Sequence, residues 1–459
     1  MSHPLEPSSD EMRAQGAEVI ERAVAAIEGL PQAPSRENNP SKELLERLAQ
    51  PPGDTPGDFS GLLDLATEAA EKSFLTSGPS YLAYIPGGGL YASALADLMA
   101  NVWNRYTGKV TPAPALVALE ESVLRWMCDL FRLGPESQGL LTTGGSISSL
   151  IAIVAARTRH AEGNVDRARV YVGEHGHGCM VKAARTAGIR RDHIRMVDSD
   201  DGLRMRPEHL RRLVEADLEG GLIPACICAS AGTTDSGAVD PLHEIAALAD
   251  EFGVWYHVDG AYGGLFQLTD RGRGLLDGIE RADSITLDPH KTLFLPFGTG
   301  ALVVRSRDAL RRAFSQDADY LQDLGQQDVL PDFDLLSPEL SRDFRGLRVW
   351  LPLHLHGVQA FRDQLNEKLD LANEAWRALL SDPRLEVPWR PDLTVVVFRK
   401  RGGSDAEQLE WLERINSSGR VLLSSTRIQG QVWLRIAILS FRTHRDRVEE
   451  ALEIIRGAL

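Results

Sequence analysis

The sequence predicts an α/β protein with a large domain on a mainly parallel sheet and a smaller C-terminal α+β domain. Three observations predict it. From about Gly139, β-rich runs alternate with helical runs, the pattern of helices packed on a mostly parallel sheet. After Gly357 the alternation gives way to one long helical run, then to strands suited to antiparallel pairing. The chain has 459 residues, enough for more than one core.

Residues 1–80 read as a helical lead-in. "PQAPSRENNP" and "PPGDTPGD" break it into short amphipathic segments that can drape over a neighbouring subunit. Residues 81–356 form the large domain. Its β-runs "RVYVGE", "IPACICASAG", "GVWYHVDGA", "SITLDPH" and "ALVVR" accompany the helical runs "SLIAIVAARTRH", "MVKAARTAG", "PEHLRRLVEADL" and "PLHEIAALADEFG". Residues 357–459 form the small domain. It opens on the helix "VQAFRDQLNEKLDLANEAWRALLSD", continues through "LTVVVFRK", "AEQLEWLERINSSG", "RVLLSST" and "QVWLRIAIL", and closes on the helix "RDRVEEALEIIRGAL". No internal repeat is found.

Apolar residues make up 43% and charged residues 25% of the chain, as in ordinary globular proteins. No apolar run approaches the ~20 residues that span a bilayer, and the N-terminus lacks a basic region followed by an apolar stretch. A cytoplasmic protein without a membrane association is expected. The formal charge of −15 argues against nucleic acid, which favours a basic face. Cys128, Cys179, Cys226 and Cys228 lack zinc-site or disulfide-framework spacing and read as reduced, core-packed thiols, so no metal is expected. Cys226 and Cys228 share one strand face, a separation that normally does not bridge.

In such a sheet, ligands bind beyond the carboxyl ends of the strands. The polar residues there form the candidate site. "LLTTGGSISSL" places Thr143, Gly144, Gly145 and Ser146 at a helix start, where free N–H groups favour a phosphate. "YVGEHGHGCM" places His175 and His177 after the next strand, and "GVWYHVDGAYGG" ends a strand on Asp259 beside Ala261. Lys291 follows His290 in "DPHKTLFLPFGTGALVVR", between a β-branched run and a glycine-bearing turn. Singly, each has an ordinary reading: a helix-opening turn, loop histidines, a partnered carboxylate, a surface lysine. Together they supply a phosphate cradle, a stacking ring, a carboxylate for a ring nitrogen and an amine able to form a Schiff base. Those are the parts that pyridoxal 5′-phosphate requires. Asp259 lies 291 − 259 = 32 residues before the lysine.

With "LAYIPGGG", "TTGGSISSL", "SAGTTDSGAVDPL", "WYHVDGAYGG", "DPHKTL", "SRDFRGLRVW" and "GRVLLSST" in order, the chain resembles the group II pyridoxal-phosphate-dependent decarboxylases, the aromatic-L-amino-acid and glutamate decarboxylase type. The resemblance covers most of the chain. It implies the fold type I architecture of pyridoxal-phosphate-dependent transferases and a homodimer whose active sites lie at the interface, with an amino acid as substrate. It makes Lys291 the Schiff-base lysine, Asp259 the partner of the ring nitrogen and His177 the stacking ring. Gly145 and Ser146 would bind the phosphate, and Ala261 would lie against the ring opposite His177. Thr233 would border the cofactor, Asp240 would brace that loop, and His290 would position the lysine or touch the cofactor. Tyr84, Ile85 and Gly87 match the substrate-lining segment, while Tyr106 and Gly108 match positions reaching in from the partner subunit.

The chain departs from the family at three places. Ile147 stands where the family's helix start carries an acidic residue. Asp288 stands where many relatives carry asparagine near the phosphate; an aspartate there repels a phosphate unless it points elsewhere or shares a proton. Phe333 falls, counting back from "RDFR", where aromatic amino-acid decarboxylases carry the mobile-loop tyrosine that protonates Cα, and phenylalanine has no proton to give. Either His177, Tyr320 or water donates instead, or the product is an aldehyde formed by oxidation. An L-amino-acid decarboxylase with an aromatic substrate is therefore expected. A cofactor enzyme with another outcome, such as an aldehyde synthase, another lyase or an aminotransferase, is the alternative, and a non-catalytic scaffold is a third reading. Gly87, Gly88, Gly89 and Gly108 are expected to widen the pocket, and Arg105, Lys109 and Arg345 are candidates for a second acidic group on the substrate.

Overall fold

A computed structural model describes residues 5–315 and 330–459. Among the described residues the large domain is built on seven strands: β1 (Gln138–Thr142), β2 (Ala168–Gly173), β3 (Ile194–Val197), β4 (Ile223–Ser230), β5 (Trp255–Gly260), β6 (Ser284–Leu287) and β7 (Gly300–Val304). Their order across the sheet is β1-β7-β6-β5-β4-β2-β3. β7 runs antiparallel to both neighbours and every other pairing is parallel, so β1 points the same way as β2 to β6. The carboxyl ends of six strands therefore share one edge. β1, β2, β5, β6 and β7 are buried along their whole length, as strands covered on both faces must be, which explains their near-continuous apolar runs.

The small domain carries β8 (Leu385–Glu386), β9 (Val395–Lys400), β10 (Ser424–Ile428) and β11 (Gln431–Ala437), antiparallel throughout in the order β10-β11-β9-β8. Trp411, Phe398, Leu434 and Ile455 fill a core of its own. The backbone of Leu82 is pinned to this domain at Leu422 (3.0 Å) and Ala437 (2.8 Å), and its side chain joins the same core. A helical run from Gly346 to Leu380 links the two domains and turns at Gly357, whose φ of 72° is a left-handed conformation that glycine adopts without penalty.

The helices Ser9–Gly29 and Phe59–Glu71 precede the large domain, and neither buries a side chain in this chain. Met12, Val19, Val24 and Leu62 stand exposed on them.

The glycines near the site do not widen it as expected. A Cβ at Gly88 would lie 1.8 Å from the Phe294 carbonyl oxygen, because Leu90 N–H donates to that carbonyl at 3.0 Å and draws the two segments together. A Cβ at Gly87 would meet the Phe297 ring at 3.0 Å, and one at Gly108 the Leu340 carbonyl at 3.0 Å. Close approach of backbone requires glycine at 88, while at 87 and 108 an added Cβ would need its neighbours to give way slightly.

Candidate active site

Loops at the carboxyl ends of β1, β2, β4, β5 and β6 enclose a cavity of about 450 Å³. Five of the expected residues meet there with Lys291: Gly145, Ser146, His177, Asp259 and Ala261. Asp288, His290, Tyr84 and Ile85 also line it.

β1 delivers the helix Gly145–Ala161, whose N-terminus has no side-chain cap. A Cβ at Gly145 would come within 3.2 Å of Ala261 Cβ, Asp288 Oδ2 and Thr286 Cγ2. The uncapped turn thus lies against the far wall of the cavity, with N–H groups left for an anion. Asp259 is the penultimate residue of β5 and is 8% exposed. Its Oδ1 accepts a hydrogen bond from Ala261 N–H at 3.1 Å, and burial holds its carboxyl above the usual carboxylate range against the pull of Lys291. A buried carboxylate with one backbone donor suits a cationic partner. His177 caps the helix Gly178–Thr186, its Nδ1 accepting from Cys179 N–H at 3.2 Å. That bond fixes the ring at the cavity edge.

Asp288 follows β6 directly, and the turn Pro289–Thr292 returns Lys291 toward it, with Nζ 2.8 Å from Oδ2. Burial alone would lower the lysine pKa, but the Asp288 carboxylate beside it, aided by Asp259, holds it above its ordinary value. The other oxygen of Asp288, Oδ1, is buried without a partner among the described residues. Asp288 thus points at the lysine. His290 Nδ1–H donates to the Thr299 carbonyl at 2.8 Å, its Nε2 stands 3.7 Å from Asp288, and burial lowers its pKa.

Other expected residues lie elsewhere. Thr233 is buried behind the cavity wall, its hydroxyl 3.0 Å from Ser236 Oγ, while its neighbours Gly232 and Thr234 form the lining. Asp240 braces that loop, accepting from Met205 N–H at 2.8 Å and Ser230 N–H at 2.7 Å. Gly87, Tyr106 and Gly108 do not line the cavity of their own chain. Phe333 lies apart from the cavity of its own chain. It is fully buried, opens a short 3₁₀ turn under the Arg342 guanidinium (4.7 Å), and lines no part of this cavity. Its neighbours Asp332 and Asp334 both pair with buried Lys109, at 3.6 Å and 3.2 Å, which anchors the turn. Tyr320 lies outside the described residues.

Two of the three candidate cations are engaged elsewhere. Lys109 holds that turn, and Arg345, 4% exposed, pairs with Glu339 and Asp343 at 2.8 Å each. Arg105 lies in a separate surface hollow beside Asn101 and Arg348. Cys226 and Cys228 share a face as expected, with Sγ atoms 3.7 Å apart and unbridged.

Gly232, Thr234, Cys179 and Tyr262 line the cavity without having been singled out by the sequence. Cys179 lines the cavity, with its thiol pushed up to about 12 by burial and the nearby Asp259. Its position two residues after His177 was the available signal. Tyr262, next to Ala261, lines the cavity and joins the small domain through its hydroxyl, 2.7 Å from Thr394 Oγ1.

The uncapped helix start, the tight glycine at 145, the buried Asp259 and the lysine amine fit pyridoxal phosphate. Together with the sheet they define a fold type I pyridoxal-phosphate enzyme. A family model described as the pyridoxal-dependent decarboxylase conserved domain matches residues 63–401. An aromatic-L-amino-acid decarboxylase of Bacillus atrophaeus is 30% identical over 99% of this chain and 96% of its own length. A phenylacetaldehyde synthase of Arabidopsis thaliana is 31% identical over 82% of this chain and 81% of its own. Among solved structures, an Oryza sativa enzyme described as TDC with PLP and tryptamine superposes with a TM-score of 0.94 at 26% identity, covering 100% of this chain and 99% of that one. The chain belongs to the pyridoxal-dependent decarboxylase family and is a pyridoxal-phosphate-dependent amino-acid decarboxylase, a lyase.

Proposed function

We propose that this enzyme removes the α-carboxylate of an aromatic L-amino acid, releasing carbon dioxide and the amine, and that it works as a cytoplasmic homodimer. The observation that carries the reading is the meeting of Lys291, Asp259 and His177 in one cavity at the sheet's carboxyl edge. Pyridoxal phosphate, when bound, supplies an aldehyde and an electron-withdrawing ring. Lys291 presents its amine, and Asp288 at 2.8 Å is placed to take or return the proton on Nζ. Asp259 would hold a proton on the ring nitrogen, the turn at Gly145 and Ser146 would bind the phosphate, and His177 and Ala261 would flank the ring. Ile85, Ile147, Tyr84 and Tyr262 give the cavity apolar surface, which suits an aromatic side chain.

The homodimer is supported by unburied apolar surface. Val102 is 69% exposed, Phe297 61%, and Leu98 and Met99 stand beside Val102 on one helix. The N-terminal helices expose a further apolar face. An aldehyde product is the second reading, favoured by the identity to a phenylacetaldehyde synthase. The buried setting of Phe333 favours the amine. Incubating the purified enzyme with aromatic, acidic and aliphatic amino acids, with carbon dioxide, amine, aldehyde and peroxide all measured, tests both. Amine and carbon dioxide in equal amounts from an aromatic substrate is the expected result; turnover confined to acidic or aliphatic substrates overturns the substrate assignment.

A further inference from the structure

His175 lies outside the cavity, yet it binds together three segments that surround it. Its Nδ1 is 3.3 Å from Asp235 Oδ2, and the other oxygen, Asp235 Oδ1, accepts from the Thr426 hydroxyl at 2.8 Å. His175 stands two residues before His177 on the loop after β2. Asp235 follows Thr234 on the loop after β4, and Thr426 belongs to β10 of the small domain. His177 and Thr234 both line the cavity. A single carboxylate therefore ties two cavity walls to each other and to the second domain. Arg435 of β11 reinforces the tie, donating from Nη2 to the Thr234 carbonyl at 2.5 Å.

We infer that His175, Asp235 and Thr426 form a proton-dependent clamp that sets the spacing between the His177 and Thr234 walls and thereby the affinity for the cofactor. The inference rests on the cofactor site proposed above. His175 acts as a positioning residue: it touches neither substrate nor cofactor and works through His177 and Asp235.

The groups facing His175 are acidic: Asp235 directly, Glu174 beside it in the chain and buried Asp240 behind it, while Arg435 faces Asp235 from β11. The hydrogen bond to Asp235 raises the histidine pKa against the opposing effect of burial, and Glu174 and Asp240 add to the rise. Burial would raise Asp235, but His175 and Thr426 more than offset it and hold that carboxyl below its ordinary range. The sign follows from linkage. A histidine with a raised folded pKa stabilises fully below its unfolded value and loses that stabilisation as pH rises through the folded one. A depressed aspartate contributes above its unfolded value. The clamp is strongest in the mildly acidic window between the two and slackens on the alkaline side.

The test is cofactor affinity, measured by the absorbance of enzyme-bound pyridoxal phosphate during titration of apoenzyme across mildly acidic to mildly alkaline pH. Wild type is expected to bind more weakly at the alkaline end than at the acidic end, because the raised histidine loses its proton there. His175→Gln keeps a polar side chain without the charge and flattens that slope, with affinity at every pH near the wild-type alkaline value. Thr426→Val, a half-exposed site with little risk to folding, weakens binding while keeping the pH slope, because the histidine still pairs. Equal pH slopes in wild type and His175→Gln overturn the clamp while leaving the cofactor site intact. A protein that binds no pyridoxal phosphate at any pH overturns the site reading and the clamp with it.

Discussion

Lys291 reaches back one helical turn to Asp288, with Nζ and Oδ2 2.8 Å apart, in a pocket where Asp288 is 3% exposed. The pair lies against the phosphate cradle, since a Cβ on Gly145 would touch the same Oδ2 at 3.2 Å. An ammonium cannot attack an aldehyde, so this carboxylate governs when the lysine is ready to capture the cofactor.

Asp288→Asn removes the group that holds the lysine pKa up. The amine fraction at neutral pH then rises, and the pH profile for the rate of cofactor capture moves to lower pH. Stopped-flow absorbance on apoenzyme measures it. An unmoved profile would show that Asp288 has no hold on the lysine.

Phe333→Tyr is expected to leave the amine-to-aldehyde ratio unchanged. The ring is fully buried under Arg342, in a turn anchored on both sides by Lys109, so a hydroxyl there meets protein and not substrate. Burying a hydroxyl without a partner costs about 1–3 kcal/mol, visible as a lowered Tm. Product analysis under air and under nitrogen decides the matter; a large rise in amine with the tyrosine would place this residue at the reacting carbon.

Lys109→Met removes the shared partner of Asp332 and Asp334 and leaves two buried carboxylates uncompensated. Burial already raises the Asp334 carboxyl against the effect of Lys109. Loss of one partner of a buried ion pair typically costs about 3–5 kcal/mol. Chemical denaturation checks the prediction, and a change below about 1 kcal/mol would mean that the turn is held by other contacts.

The strand ends were legible in the sequence because each active-site side chain follows a β-run in a short local motif: Gly145 and Ser146 after β1, His177 after β2, Asp259 at the end of β5, Lys291 after β6. Local pattern carries no information on distant partners. Nothing in "TGKV" announces that Lys109 would be buried between Asp332 and Asp334, so the lysine read as a free cation. The run "PGGGL" reads as open space, whereas Gly88 is required by the Phe294 carbonyl, some two hundred residues away in the chain. Cys179 is a related case: composition favours burial for a thiol, and only the fold shows that its surroundings are a cavity.

The central claim, that Lys291 is the residue that captures pyridoxal phosphate, is tested most directly by borohydride reduction of the holoenzyme followed by peptide mass spectrometry. The account predicts an absorbance band at roughly 330–430 nm that borohydride abolishes, a pyridoxyl group fixed on Lys291, and neither in a folded Lys291→Ala variant. A pyridoxyl group on another lysine, or a Lys291→Ala enzyme with full turnover, would contradict it.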